Sequence, residues 1–112
     1  MARTLITVPK TAKRGEIIEI KTLIQHPMET GYRRSSEGAM MPRNLIRQFE
    51  CRFERAGLST GELVFSATLH AAIAANPYLS FYAVATNSGE FVFDWRGDNG
   101  FAHNERVAIT VS

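Results

Sequence analysis

The stretch Gly15–Gly31, GEIIEIKTLIQHPMETG, decides the fold of this chain. Between Ile18 and Ile24, mostly apolar positions alternate with mostly polar ones. A period of two places one apolar face of a β-strand on a core, so the pattern predicts a long strand over Glu16–His26. Pro27 ends that strand, because its nitrogen cannot donate a hydrogen bond to a neighbouring strand.

Six more segments on either side of this strand combine alternating apolar residues with flanking turn residues. Thr11–Gly15 predicts a polar turn, and the alanine-rich His70–Asn76 predicts one helical turn. The chain, residues 1–112, is therefore expected to form one all-β domain, a two-sheet β-sandwich of about seven strands. The six further strands are predicted at Leu5–Val8, Leu45–Glu54, Glu62–Leu69, Tyr78–Thr86, Glu90–Trp95 and Arg106–Val111.

The composition excludes several classes of protein. The chain has 13 basic and 11 acidic residues, for a formal net charge of +2. This balance, without a basic run, argues against nucleic-acid binding. No stretch approaches the roughly 20 apolar residues of a membrane span, and the N-terminal MARTLITVPK lacks the apolar segment of a signal peptide. Composition alone predicts a soluble, cytoplasmic protein, and the single cysteine excludes an internal disulfide.

The three histidines suggest a possible metal site. His26, His70 and His103 lie in separate loops or strand ends, which can converge at one end of a sandwich. A metal-dependent oxidase, or an extracytoplasmic sandwich that binds a small ligand or metal through its end loops, would use them. No short ligand spacing supports either function, and three unrelated surface histidines are the simpler interpretation.

Cys51 and one acidic loop are two further candidates for a chemical role. Cys51 lies on the apolar face of its strand between Phe49 and Phe53, which predicts a buried thiol with a raised pKa rather than a nucleophile. The loop Asp94–Glu105 partly mimics a calcium-binding loop. Arg96 occupies its third position, where an oxygen ligand is needed, so we interpret it as a loop between two strands.

Several strands carry apolar residues on the face expected to meet water, although a sandwich needs only one buried face per sheet. Grouped on neighbouring strands, such residues would form a patch of interface size. We expect another subunit to cover one sheet face; the alternative is a cover formed by the irregular loop Pro27–Pro42. The expected partner interface comprises Ile46, Val64, Tyr78, Tyr82, Val84 and Val92.

Three long segments resemble the SoxZ family of bacterial sulfur (thiosulfate) oxidation. They are PKTAKRGEIIEIKTLIQHPMETGYR at 9–33, PRNLIRQFECRFE at 42–54 and LVFSATLHAAIAANPYLSFYAVATNSGEFVFDW at 63–95. The HPMETG and AIAANPYL pieces are the most specific. The resemblance runs from about Pro9 to the C-terminus and implies an immunoglobulin-like β-sandwich without catalytic activity, cofactor or metal.

The resemblance also implies a partner and a compartment. SoxZ proteins are expected to pair with SoxY, whose flexible arm ends in a Gly-Gly-Cys motif that carries sulfur covalently, and to contact other Sox enzymes transiently. The SoxYZ carrier complex works in the periplasm, and SoxZ is expected to be exported with its partner, since it has no signal peptide of its own. This expectation replaces the cytoplasmic one. The C-terminal RVAITVS holds no cysteine, so this chain is not expected to carry the sulfur.

The loop after the first long strand is the candidate docking element for the other Sox enzymes, because loops on a rigid scaffold often carry recognition. Two of its arginines could also meet anionic sulfur groups by charge. In the absence of SoxY, a homodimer formed by the same sheet face is a further possibility. The docking-loop residues are His26, Met28, Glu29, Tyr32, Arg33 and Arg34.

Overall fold

Two β-sheets packed face to face form the computed structural model, which describes residues 3–31, 34, 36–40, 43–57, 61–70 and 75–112. Within these ranges the helical structure is limited to a 3₁₀ turn at Asp98–Gly100. The eight strands are β1 (Thr4–Thr7), β2 (Thr11–Ala12), β3 (Ile17–Ile24), β4 (Ile46–Arg55), β5 (Glu62–Thr68), β6 (Tyr78–Val84), β7 (Gly89–Gly97) and β8 (Ala102–Val111).

The strands form a three-stranded sheet in the order β1-β3-β6 and a five-stranded sheet in the order β2-β8-β7-β4-β5. All neighbouring strands are antiparallel except β2 and β8. This architecture confirms the predicted all-β sandwich. None of the described helical structure is long and apolar enough to cross a membrane.

The core lies between the two sheets, as the period of two in β3 predicts. Ile18, Ile20 and Ile24 are buried on the inner face of β3. Thr22 is buried with them, and its hydroxyl donates to the Leu79 carbonyl at 3.3 Å, which satisfies the polar group. The five-stranded sheet contributes most of the aromatic part of the core, which includes Phe49, Phe53, Phe91, Phe93 and Trp95.

Two predicted boundaries are wrong because strand pairing extends into segments that read as loops. Thr11 and Ala12, predicted as part of a polar turn, pair in parallel with Thr110 and Val111 of β8. The last strand begins at Ala102 and not at Arg106, since its first residues pair with the end of β7. The helical turn predicted at His70–Asn76 lies partly outside the described residues.

Two irregularities in the five-stranded sheet change which side chains face inward. The register between β4 and β7 shifts between Ile46 and Gln48, so Arg47 is an extra residue and Ile46 turns into the core. A second shift, between β4 and β5, makes Val64 the extra residue. As a result Leu63, predicted to face inward, is 52% exposed, and Val64 packs partly against the core.

Candidate functional site

The outer face of the three-stranded sheet, which we call the β1-β3-β6 face, presents large apolar side chains to solvent. Leu5 on β1 is 67% exposed and Ile17 on β3 is 68% exposed. Exposed patches of this kind mark interaction surfaces in soluble proteins. The face is formed by Leu5, Thr7, Ile17, Glu19, Lys21, Leu23, Tyr78, Ser80, Tyr82 and Val84.

Cross-strand pairing arranges this face as two apolar ends with a polar stripe between them. At one end Leu5 pairs with Leu23, which pairs with Tyr78. At the other end Ile17 pairs with Val84. The stripe between them is formed by Thr7, Glu19, Lys21 and Ser80, of which Ser80 donates to Glu19 at 2.9 Å and Lys21 lies 3.7 Å from Glu19.

The outer face of the five-stranded sheet has the opposite character. Its charged side chains pair with each other across the strands: Arg106 lies 2.8 Å from Glu54 and 3.6 Å from Glu90. Asn104 donates to Asp94 at 2.9 Å. These pairs give a polar surface of the kind that faces water, so the two outer faces of the sandwich are chemically distinct.

The predicted partner interface divides between these surfaces. Tyr78, Tyr82 and Val84 are exposed together on the β1-β3-β6 face. Ile46 and Val92 are buried, so neither is exposed for an interface; Ile46 points into the core, whereas Val92 lies on the outer face as predicted. Ile46 enters the core through the bulge at Arg47, and Val92 is flanked across the strands by Arg52 and Arg106, whose long stems can cover it. Val64 is half-buried against the core.

Three members of the exposed face were missed from the sequence: Leu5, Ile17 and Leu23. Their signal was present, since Ile17 and Leu23 interrupt the polar side of the β3 alternation. Their meaning depends on the pairing of β3 with β1 and β6, which the sequence pattern does not show. Only the register brings these three residues next to Tyr78 and Val84.

Two of the six predicted docking-loop residues have buried side chains. His26 and Met28 are buried, which corrects their assignment as docking residues and corrects the interpretation of His26 as a surface histidine. The chain folds back here because Met28 adopts a positive φ of 51°. Tyr32 and Arg33 lie outside the described residues.

The described parts of this loop are tied to the rest of the sandwich. Glu29 and Asn44 exchange two backbone hydrogen bonds of 2.8 Å, which closes the loop at its base. Arg34 is exposed and donates to the Gly38 carbonyl at 3.0 Å. The loop therefore has a fixed base and presents Arg34 to solvent.

A carboxylate at the same end of the sandwich fixes the start of β4. Asp98 accepts hydrogen bonds from the Leu45 amide at 3.1 Å and from the Arg47 side chain at 2.7 Å. The Arg43 guanidinium lies 3.5 Å away. The hydrogen bond from Arg47, with help from the Leu45 amide and the positive charges, holds the pKa of Asp98 below its ordinary value.

His26 packs inside this end of the sandwich. Its Nδ1 accepts a hydrogen bond from the Met28 amide at 3.0 Å, which places the proton of the neutral ring on Nε2. The ring meets Phe101 edge to face at 4.9 Å. Its backbone exchanges hydrogen bonds with Asn76, at 2.9 Å and 2.7 Å. Nε2 is buried and has no hydrogen-bond partner among the described residues.

The burial of His26 predicts a stability that depends on pH. Burial lowers the pKa of the imidazole from its ordinary 6.5, against the smaller opposing effects of the Asn44 side chain and the Asp98 carboxylate. Below pH 6.5 the unfolded chain therefore binds the proton more readily than the folded one, and the free energy of unfolding falls as the pH falls. Urea unfolding at about pH 7.5 and about pH 5 measures this change.

A matched pair of variants isolates the histidine responsible. His26→Gln removes the titrating ring and should reduce the loss of stability between the two pH values. His70→Gln removes an exposed histidine and should retain the wild-type pH dependence. Equal pH dependence in the wild type and in the His26→Gln variant would contradict this explanation.

The three histidines do not meet. His103 lies 2.9 Å from Glu105 and packs near Trp95, with ring centroids 5.8 Å apart. His26 is buried between its own loop and Phe101, and His70 is exposed. In the described ranges no group of three or more His, Cys, Asp or Glu side chains is arranged to hold a metal ion. The histidine pocket required by a ligand-binding or oxidase function is therefore not formed by these residues.

Cys51 is buried in the core, as predicted from its apolar strand face. Burial raises the pKa of its thiol to about 12. Since the thiolate is the reactive form, the folded protein keeps this cysteine unreactive at neutral pH.

We expect iodoacetamide at about pH 8 to leave Cys51 of the native protein unlabelled, because the thiol is buried and protonated. The same reagent in concentrated guanidinium chloride should label it completely. Intact-mass measurement separates the two forms. Rapid labelling of the native protein at a rate close to that of the unfolded chain would contradict the buried position.

Comparisons with known proteins bear on the family of the chain. A family model described as "Sulphur oxidation protein SoxZ" matches residues 6–108. A search of the curated proteins finds no significant match.

Solved structures with similar folds include both enzymes and a carrier protein. A superoxide reductase (neelaredoxin) from Ignicoccus hospitalis has a TM-score of 0.77 at 17% identity, over 97% of this chain and 80% of that one. The enzyme of the same name from Archaeoglobus fulgidus has a TM-score of 0.67 at 16% identity, over 96% and 88%. The sulfur carrier protein SoxY from Chlorobium limicola has a TM-score of 0.62 at 11% identity, over 97% and 78%. At such identities the likeness shows the fold alone.

Proposed function

The chain belongs to the SoxZ family of sulphur oxidation proteins, and on that premise we propose that it is the non-catalytic partner subunit of a SoxYZ carrier complex. In this role it acts as a rigid body that holds SoxY, whose C-terminal cysteine arm carries sulfur intermediates during thiosulfate or sulfur oxidation. The tether between arm and body sets the effective concentration of the carried group at each enzyme.

The observation that supports this proposal most strongly is the β1-β3-β6 face. Its exposed leucine, isoleucine, valine and tyrosine side chains lie on one side of the sandwich, whereas the opposite side carries paired charges on β4, β7 and β8. Stable subunit interfaces have an apolar centre and aromatic anchors. We assign SoxY to this face, with Tyr78, Tyr82 and Val84 from the sequence prediction and Leu5, Ile17 and Leu23 added by the register.

The chain's own thiol does not suit the carrier role. Cys51 is buried between the sheets with its pKa raised to about 12, so it cannot reach a substrate. In the proposed complex the sulfur-bearing thiol therefore belongs to the partner. The other Sox enzymes would meet the end of the sandwich where the docking loop presents Arg34, beyond the backbone hydrogen bonds between Glu29 and Asn44 that close the loop.

The proposal includes a compartment. A subunit that holds SoxY during sulfur oxidation works in the periplasm and is exported bound to its partner. Fractionation of cells, with this chain and SoxY detected in the same periplasmic fraction, tests that part. Export of this chain in a strain that lacks SoxY would contradict it.

The function itself is tested by purifying the chain from its native cells and measuring the intact masses of whatever accompanies it. We expect a partner that ends in a glycine-flanked cysteine and that bears a sulfur or sulfonate adduct. Recovery of the chain alone, with a bound metal or small ligand, would contradict the carrier role and return attention to ligand binding.

A further inference from the structure

The edge of β6 that faces away from β3 is paired with no other described strand. In the ladder between β3 and β6, the Ala85 amide donates to Glu16 at 2.8 Å and the Ile24 amide donates to Pro77 at 3.3 Å. Because antiparallel ladders alternate, the odd-numbered residues of β6 bond to β3 and the even-numbered residues point the other way. In the described part of the chain, no backbone hydrogen bond outside this ladder involves the even-numbered residues.

Edge strands are usually protected against pairing with other chains by charges, proline or a bulge. The β6 sequence YLSFYAV contains no charge and no proline, and its register with β3 is regular over its whole length. The facing edge strand β5 differs, since it has a bulge at Val64 and starts with Glu62. Of the β5 and β6 edges, the β6 edge is therefore the one that can pair with a further strand.

A cleft lies directly beside this edge. Its volume is about 270 Å³, and it opens between β5 and the second half of β6. Phe53, Phe91 and Ile109 lie at its base, and Glu62 is the one charged residue among the residues that line it. Peptides that add to a sheet edge gain affinity from backbone hydrogen bonds and specificity from such pockets.

We propose that the β6 edge and this cleft form a strand-addition site for an extended apolar segment of another protein. The segment hydrogen-bonds to the outward backbone groups of the even-numbered residues from Tyr78 to Val84. One bulky apolar side chain of the segment enters the cleft, and a basic residue lies near Glu62. The site uses backbone groups and the cleft between the sheets, so the proposal does not rest on SoxY docking to the β1-β3-β6 face.

The probe is a peptide of 7 residues, the length of β6, with alternating valine and threonine, a central phenylalanine and a lysine at each end. Fluorescence anisotropy with the full chain should show saturable binding. Replacing the central phenylalanine by alanine should weaken binding about tenfold, because the cleft then stays empty. Replacing the terminal lysines by glutamates should also weaken it, because of Glu62.

Two proline variants test the backbone contacts. Ser80→Pro removes an N–H that points to the free edge of β6, where proline is compatible with the fold. Ser66→Pro is the matched control on β5: the Leu69 amide donates to Arg47, so the Ser66 N–H also points away from β4. We expect Ser80→Pro to weaken peptide binding about tenfold and Ser66→Pro to leave it unchanged. Ser80→Ala controls for the lost hydroxyl and should bind normally.

Val64→Phe tests the cleft without changing the edge, since it fills the space with a side chain from β5. The variant should bind the phenylalanine peptide about tenfold more weakly than the wild type, and its affinity for the alanine peptide should change little. Absence of saturable binding by the wild type, or equal effects of the two proline variants, would overturn the proposal. So would a dimer of this chain that Ser80→Pro alone abolishes, because a second copy would then be the occupant.

The outcome is separable from that of the proposed function. Leu5→Glu with Ile17→Lys changes the β1-β3-β6 face away from the edge and should retain peptide binding. Val64→Phe fills the cleft from β5, outside the face assigned to SoxY, and should retain SoxY binding. Loss of SoxY binding in the Val64→Phe variant would show that the two sites coincide and would overturn this inference while leaving SoxY as the partner.

Discussion

Leu5→Glu combined with Ile17→Lys is expected to weaken the binding of SoxY at least about hundredfold. Both side chains are about two-thirds exposed, one near each apolar end of the β1-β3-β6 face. In the complex each new charge would be buried without a partner, and single anchor residues at such interfaces are typically worth about 2 kcal/mol or more. A titration followed by calorimetry measures the change in the dissociation constant.

The matched control introduces the same two charges on the opposite face. Ala102→Lys and Ala108→Glu are exposed positions on the outer side of β8 and should leave SoxY affinity unchanged. Both double variants should keep the wild-type thermal unfolding temperature, because none of the four positions is buried. If the β8 variant weakened binding as much as the Leu5 and Ile17 variant, the assignment of the interface would be wrong.

Phe49→Ala is expected to lower the free energy of unfolding by about 3–5 kcal/mol. The ring is fully buried at the centre of the aromatic core. Its centroid lies 5.2 Å from that of Trp95 and about 6 Å from those of Phe81 and Phe93. Small domains are typically stable by about 5–15 kcal/mol, so this one change removes a large share of the total. Urea unfolding monitored by tryptophan fluorescence measures it.

Two comparisons show whether the loss comes from the cavity. Phe49→Leu keeps most of the side-chain volume and should cost clearly less than the alanine variant. Leu5→Ala removes a side chain of similar chemistry from an exposed site and should change stability by no more than about 0.5 kcal/mol. A loss below about 1 kcal/mol in Phe49→Ala would show that the ring is not part of a tightly packed core.

The sequence pattern predicts those features that depend on local periodicity. The alternation in β3 places Ile18, Ile20 and Ile24 inside, and the structure buries all three. Cys51 was predicted to be buried for the same reason, and it is. A period of two is a property of each strand by itself, so it can be recognised in the sequence without knowing which strands pair.

The features that failed depend on interactions between distant segments. The bulges at Arg47 and Val64 each add one residue, and one extra residue reverses the face of the side chains on one side of it relative to a continuous alternation. Nothing local in RQFE or ELVF indicates that extra residue. The placement of Ile46 and the predicted inward position of Leu63 failed for this reason.

The burial of His26 was missed for a related reason. Its pocket is built by the backbone reversal at Met28 and by Phe101, which follows the 3₁₀ turn far along the chain. A histidine followed by proline reads as a strand end, where exposure is the ordinary outcome. Only the packing of two distant loops places this ring inside.

The central claim is that this chain is the body on which SoxY is held. Sedimentation equilibrium of an equimolar mixture of this chain and the SoxY of the same organism tests it most directly. The proposal predicts a single species whose mass is the sum of the two chains, and its loss in the Leu5→Glu, Ile17→Lys variant. If the two chains sedimented as independent species at concentrations well above the dissociation constant of a stable complex, the claim would be contradicted.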